Sequence, residues 1–178
     1  MNKGTVYWFT GLSGAGKTTI SRLFCERLSK HYTNVIFLDG DMLREMFGND
    51  LGHSRDQRTK SAMRNSRLCK MLSDQGINVI CATISMFHEC QRWNREHITF
   101  YKEIYIQVPI EVLISRDQKQ LYSRALSGEI QDVMGIDIEI EEPESPDLTI
   151  YNSGDVSPEI LIEKYFENLT GIKEKSRP

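Results

Sequence analysis

Residues 11–18 read Gly-Leu-Ser-Gly-Ala-Gly-Lys-Thr and satisfy the pattern G-x-x-x-x-G-K-[ST] in full. Glycines at this spacing let a chain turn tightly and aim several backbone N–H groups at one point, where a helix N-terminus adds its own positive field. Such a cradle suits a polyphosphate. Lys17 is placed to reach the β- and γ-phosphates, and the Thr18 hydroxyl to sit on Mg²⁺. The expected ligand is a nucleoside triphosphate with its Mg²⁺, held by Gly11, Ser13, Gly14, Ala15, Gly16, Lys17, Thr18 and Thr19.

A second group follows the next apolar run. Asp39 and Asp41 stand two apart around Gly40, where Val35-Ile36-Phe37-Leu38 ends. A carboxylate there can hold the water shell of Mg²⁺ and can take the proton of an attacking hydroxyl. Asp41 is the first candidate for both jobs, sharing the metal with Thr18; Asp39 is the second, its other role being to orient its neighbour. The competing role for either carboxylate is to cap a helix starting at Met42. Arg44, Arg55, Arg58, Arg64 and Arg67 come next. Most of these suit a solvated helix face, but an anionic acceptor calls for at least one bidentate guanidinium.

These residues need strands and helices to position them. Apolar, β-rich runs at 5–10, 35–38, 77–84, 104–108 and 148–151 read as buried strands. Helical spacing recurs between them at 17–31, 42–47, 56–75, 89–99, 110–126 and 157–169, the last opened by Ser157-Pro158 as N-cap and first helical residue. Near-continuous apolar strands alternating with helices predict an α/β fold: a parallel sheet, entered through the P-loop, with helices on both faces. Ligands in such sheets bind at the carboxyl ends of the strands, which is where the glycine loop, Asp39-Gly40-Asp41 and Ser85 fall. The stretch 127–147 carries Gly, Glu and Pro with little periodicity, and a loop that long in a compact domain is usually functional.

With 178 residues, one domain over 1–170 and a frayed tail over 171–178 are expected. A net charge of −3 with both signs interspersed gives no basic face for nucleic acid. No long apolar window predicts a membrane span and no secretory leader is visible, so the expected compartment is the cytoplasm. Cys25, Cys69, Cys81 and Cys90 lack C-x-x-C spacing and read as free buried thiols rather than a disulfide frame or zinc site.

Several motifs in order resemble the adenylylsulfate (APS) kinases. They are the glycine loop through Thr19, Leu38-Asp39-Gly40-Asp41 with Arg44, Asp50-Leu51-Gly52 with Ser54 and Arg58, and Ile84-Ser85. Arg116-Asp117 with Lys119 and Leu121-Tyr122, and Gly135-Ile136-Asp137 with Glu142-Pro143, complete a likeness running from about residue 4 to 152. The resemblance implies transfer of the ATP γ-phosphoryl to the 3′-hydroxyl of a nucleotide whose phosphate bears a second anionic group. It also implies a homodimer and a mobile lid over about 119–143. Arg116 and Lys119, near the lid hinge, would neutralise charge on the moving phosphoryl, with plain surface charge as their alternative. Acceptor contacts would come from Arg44, His53, Arg58, Ser61, Ser85, Lys119, Val133, Ile136 and Asp137.

Departures from the family pattern are concentrated on the acceptor side. Two phenylalanines generally clamp the adenine of the acceptor; this chain has His53 and Val133 there. Ser61 stands for an asparagine, Met86 for the proline after Ser85, and Gln91 for an arginine. Stacking on an aromatic face contributes roughly 1–3 kcal/mol per base, so an acceptor with a smaller base is expected. Cytidine diphosphoramidate, the acceptor of a relative within the family, fits that description; an ordinary adenylylsulfate kinase is the alternative. A guanine-nucleotide switch is disfavoured because no Asn-Lys-x-Asp occurs, and a module without catalysis because Lys17, Thr18 and Asp41 are all present.

Overall fold

The computed structural model describes residues 2–173. Strands β1 (Val6–Thr10), β2 (Val35–Asp39), β3 (Asn78–Ala82), β4 (Tyr101–Gln107) and β5 (Leu148–Tyr151) form one parallel sheet in the order β2-β3-β1-β4-β5. All five residues of β1 are buried, and the strand lies centrally, with Val6 paired to Val79 on one side and Tyr101 on the other. Strand order therefore reverses beside β1, which opens a crevice at its carboxyl end.

Among the described residues the α-helices are α1 (Lys17–Leu28), α2 (Gly40–Met46), α3 (Arg55–Asp74), α4 (His88–His97), α5 (Ile110–Arg116), α6 (Leu121–Leu126) and α7 (Pro158–Thr170). α1 packs with α7 on one face, and α3 with α4 on the other. Ile20, Phe24 and Leu28, spaced four apart, form the buried stripe of α1. The Phe24 ring lies 4.8 Å from Tyr7, 5.5 Å from Phe9 and 5.4 Å from Phe166, all tilted, so one aromatic cluster ties β1, α1 and α7 together.

Several elements differ from the sequence expectation, and α1, expected to reach residue 31, ends at Leu28. β4 begins at Tyr101 rather than Ile104, because the charged Glu103 is buried in it. Arg95 answers that carboxylate at 3.0 Å; burial pushes the Glu103 pKa up while the guanidinium opposes the shift. α2 begins at Gly40 rather than Met42, because Asp39 is its N-cap and its Oδ1 accepts the Asp41 N–H at 2.9 Å. The single helix expected over 110–126 is broken. Asp117, Lys119 and Gln120 all have left-handed backbone, with φ of 34°, 58° and 55°. Asp117 Oδ1 then accepts the N–H groups of Tyr122 and Ser123 at 2.9 and 3.1 Å and starts α6 afresh.

Between α6 and β5 the chain is irregular, with a single bridge from Met134 to Ile138. Its later part is fastened to the body: Glu141 binds Arg55 and the His88 N–H, and Gln91 donates to the Glu141 carbonyl at 3.3 Å. Ser157 caps α7 as expected. Gly171 closes that helix with φ of 72°, and residues 174–178 of the expected frayed tail lie outside the described residues. All four cysteines are free, three of them buried, and no helix among the described residues is long and apolar enough to cross a membrane.

Candidate active site

The glycine loop runs from the end of β1 into α1 and is held from behind. Four successive carbonyls each accept a side-chain donor: Leu12 from Lys17 Nζ at 2.8 Å, Ser13 from the Tyr122 hydroxyl at 2.8 Å, Gly14 from Arg116 at 3.4 Å, Ala15 from Asn152 Nδ2 at 2.8 Å. The Ala15 N–H donates to the Leu12 carbonyl at 3.2 Å, and with the carbonyls held in place the other peptide N–H groups of the loop are left for the concavity. Two glycines are sterically required. A Cβ on Gly11 would stand 2.4 Å from the Ile106 carbonyl of β4, and Gly16 takes φ of 92° with Asn152 Nδ2 only 2.6 Å from where its Cβ would be. The resulting hollow of about 190 Å³ is lined by Ser13, Gly14, Gly16, Lys17, Thr18 and Thr19, with Asp39, Asp41 and Lys119 on its far side. Gly11 and Ala15 do not line it; the first is pressed against β4 and the second is buried.

The two aspartates have different partners. Asp39 is buried and both its oxygens are engaged, Oδ1 by the Asp41 N–H and Oδ2 by the Thr18 hydroxyl at 2.7 Å. Asp41 is 89% exposed at its side chain, with Lys119 Nζ 3.8 Å away. Burial lowers the Lys17 pKa to about 8 against the opposing pull of Asp39 and Asp41.

A larger cleft of about 400 Å³ adjoins the hollow and shares Ser13, Gly40, Asp41, Thr83, Ile84, Gln118 and Lys119 with it. Arg44, His53, Arg58, Ser61, Ser85 and Val133 line it, as expected for acceptor contacts. α3 presents Arg58, Ser61, Ala62 and Asn65 to the cleft, a stripe at i, i+3, i+4 and i+7. Arg58 donates to the His53 and Asp132 carbonyls at 2.6 and 2.7 Å, and Arg44 to the Leu51 carbonyl at 2.6 Å. Burial, then the Arg44 charge, lowers the Arg58 pKa, so this guanidinium sits where an anion would relieve it. Burial and the same two arginines hold the His53 pKa below its ordinary value, which leaves the ring neutral at pH 7.

Three expected site residues lie elsewhere. Asp137 turns back on its own loop and accepts the N–H groups of Asp132 and Val133, both at 2.5 Å. Ile136 faces a separate apolar hollow with Tyr105, Val108 and Tyr151. Arg116 lies behind the glycine loop, its second donor on the Asn152 carbonyl at 2.9 Å. Asn65, Thr83, Gln118 and Arg124 line the cleft without a sequence signal assigned to them, and Leu121, noted only within the family likeness, lines it too. Asn65 had a signal, since it continues the helical spacing of Arg58 and Ser61.

Comparison with known proteins addresses the whole assembly. Residues 3–151 match the family described as adenylylsulphate kinase. The chain belongs to the adenylylsulfate kinase family. It is 47% identical over 152 residues to the cytidine diphosphoramidate kinase of Campylobacter jejuni, covering 85% of this chain and 88% of that one. To the adenylyl-sulfate kinase of Halothermothrix orenii it is 38% identical over 174 residues, 94% of each chain. The Mycobacterium tuberculosis APS kinase, solved with AMPPNP and APS, superposes with a TM-score of 0.86 at 31% identity over 97% of this chain and all of that one. The fold is accordingly the parallel-sheet P-loop kinase fold, and the protein is an ATP-dependent kinase of the adenylylsulfate kinase family.

Proposed function

We propose that this kinase moves the γ-phosphoryl of ATP to the 3′-hydroxyl of a nucleotide whose phosphate carries a small second group, with cytidine diphosphoramidate favoured over adenylyl sulfate. The observation that carries the proposal is the place of Asp41. It lies on the shared wall of the phosphate hollow and the acceptor cleft, and neither of its oxygens caps a helix. A hydroxyl entering from the cleft meets Asp41 before the γ-phosphate, so Asp41 accepts its proton as the new P–O bond forms and ADP leaves. Lys17 and the loop amides hold the β- and γ-phosphates, and Lys119, beside Asp41, adds positive charge across the line of transfer. Arg116 acts from behind by fixing the loop.

The donor set fits Mg²⁺. One hydroxyl and one carboxylate, Thr18 Oγ1 and Asp39 Oδ2, meet beside the loop, and no cluster of three or more His, Cys, Asp or Glu competes for the ion among the described residues. Mg²⁺ keeps most of its waters and takes phosphate oxygens for the rest, which suits so sparse a set. Bound there by Thr18, with Asp39 or Asp41 on its waters, it would neutralise phosphate charge. The acceptor side supports a smaller base: His53 and Val133 line the cleft where two phenylalanines are the family pattern, and a relative of 47% identity bears the name cytidine diphosphoramidate kinase. A homodimer, as the resemblance implies, belongs to the same reading, and sedimentation of the free protein tests it.

ADP release with adenylyl sulfate and with cytidine diphosphoramidate, side by side, tests the acceptor. Higher kcat/KM with the cytidine compound is expected. The reverse order, with turnover of adenylyl sulfate at the level of ordinary enzymes, would make this an adenylylsulfate kinase proper.

A further inference from the structure

The cleft contains an unmet hydrogen-bond acceptor. Asn65 is buried, 4% exposed, yet its side chain belongs to the cleft lining, and its Oδ1 is shielded from solvent without a partner. Native folds rarely leave such an atom unpaired without a reason. Its polar neighbours in the cleft are engaged: Thr83 with Ser85, Arg58 and Arg44 with backbone carbonyls, and Arg124 with Glu129 at 2.8 Å. An acceptor oxygen calls for a hydrogen-bond donor, and none of these four neighbours supplies one to Asn65.

We infer that Asn65 reads the base of the acceptor nucleotide, taking a hydrogen bond from an exocyclic amino group. The placement supports this. Arg58 and Asn65 are seven residues apart on one face of α3, about 10 Å along the helix, a span comparable with the reach of a nucleotide from its phosphate to the far edge of its base. An anion held at Arg58 and Arg44 therefore puts a base edge near Asn65. Cytosine offers an amino N–H beside an unprotonated ring nitrogen, the complement of the oxygen and nitrogen of an asparagine amide. Uracil offers a carbonyl and a ring N–H at those positions, so its oxygen would oppose Oδ1. Adenine offers the same amino edge as cytosine but draws more on aromatic stacking, of which His53 and Val133 supply less than two phenylalanines would. Weak stacking walls and recognition of an amino group by Asn65 together select cytosine; this rests on the acceptor reading above and deepens it.

The test separates the two ideas. Wild-type enzyme is assayed by ADP release with cytidine diphosphoramidate and its uridine counterpart, and with adenylyl sulfate and its inosine counterpart. The ratio of amino to carbonyl base within each pair reads Asn65, and the ratio of cytidine to adenosine compound reads the acceptor preference. A single well-formed amide–base contact predicts an amino preference of ~10-fold to 100-fold in kcat/KM, carried mainly by KM. Asn65→Leu should reduce that preference to within about threefold while leaving KM for ATP unchanged. Its thermal midpoint should not fall, because an apolar group of similar size replaces an unpaired polar one. Asn65→Asp replaces the amide nitrogen with a second acceptor, which opposes the cytosine ring nitrogen and suits the uracil ring N–H, so it too should erode the preference, which secures the test if the leucine variant folds poorly. Equal use of cytidine and uridine compounds by the wild type, or an unchanged preference in Asn65→Leu, would overturn the assignment. A preference for adenylyl sulfate that vanishes with inosine would uphold Asn65 and remove the cytidine reading alone.

Discussion

The phosphate hollow and the acceptor cleft share a wall, yet they are built differently. The hollow is built mainly from one stretch of chain, residues 13–19, with Asp39–Asp41, Ala82, Thr83, Ile84, Gln118 and Lys119 opposite, and Lys17 with three side chains from distant elements holds four loop carbonyls in place. The cleft draws on α2, α3, the segment after β3, the broken helix at 117–121 and the irregular stretch 130–134. It carries an unpaired amide oxygen in Asn65, a left-handed Lys119, and His53 and Val133 on its walls. Phosphoryl transfer needs fixed donors around charge that is the same for every substrate, whereas choice of acceptor needs side chains that can change one at a time. The boundary between the two regions is therefore where chemistry and specificity can be separated by mutation, and Asp41 sits on it.

Asp41→Asn should give the largest effect. An amide cannot take the hydroxyl proton, so kcat is expected to fall ~10²–10⁴-fold with KM for ATP little changed. Steady-state kinetics decide the matter: near-normal kcat would pass the role to Asp39, whose oxygens are occupied by Thr18 and the Asp41 N–H. On the other side of the boundary, Lys17→Ala should cost ~10²–10³ in turnover with every acceptor alike. Circular dichroism should show an intact fold, since the hydrogen bond of the lysine ammonium is to a carbonyl of its own loop. Turnover above about a tenth of wild type would take Lys17 out of the mechanism.

What the sequence reveals follows the same boundary. The glycine loop is contiguous, and its neighbours Val6–Thr10 and Ile20, Phe24, Leu28 announce a strand and a helix by spacing alone, so the hollow was legible before any fold was known. Its rear supports were not: Tyr122 and Asn152 reach the loop from 109 and 137 residues away. Asn152 follows directly on β5, where the rule about carboxyl strand ends points, but the apolar signal of that strand is short. The break at Asp117 was invisible because Leu121, Tyr122 and Ala125 continue a plausible helical spacing; a carboxylate capping two N–H groups outweighed it. Asp137 misled because a residue that caps its own turn and one that touches a ligand look alike in sequence.

The cleft walls give the next test in size. Replacing His53 and Val133 with phenylalanine should raise kcat/KM for adenylyl sulfate by ~10-fold or more, at ~1 kcal/mol per wall. Val133 is buried, so the double variant needs a thermal melt beside the kinetics. His53→Phe alone, at an exposed position, should yield about half of the gain in free energy, roughly threefold to fivefold. A wild-type kcat/KM for adenylyl sulfate of about 10⁵ M⁻¹s⁻¹ or higher would show that the two substitutions leave adenine selection untouched.

The smallest effect lies within the phosphate hollow and is a proton. In the free protein, burial lowers the Lys17 pKa to about 8, and the two nearby aspartates offset only part of that shift. A polyphosphate beside the ammonium favours its charged form and raises the pKa again. Binding of ATP must therefore take up a proton wherever the free lysine is partly neutral. The sign fixes the window: affinity holds below about pH 8 and falls roughly tenfold per unit well above it, as the free enzyme loses the charge it needs. Uptake should be about half a proton at pH 8 and about a tenth at pH 7. Calorimetry of ATP binding in buffers of different ionisation heat measures it directly. Lys17→Arg, which stays charged throughout, should abolish the uptake. Equal uptake in the arginine variant would place the titrating group outside the glycine loop and leave the aspartate side of the boundary to account for it.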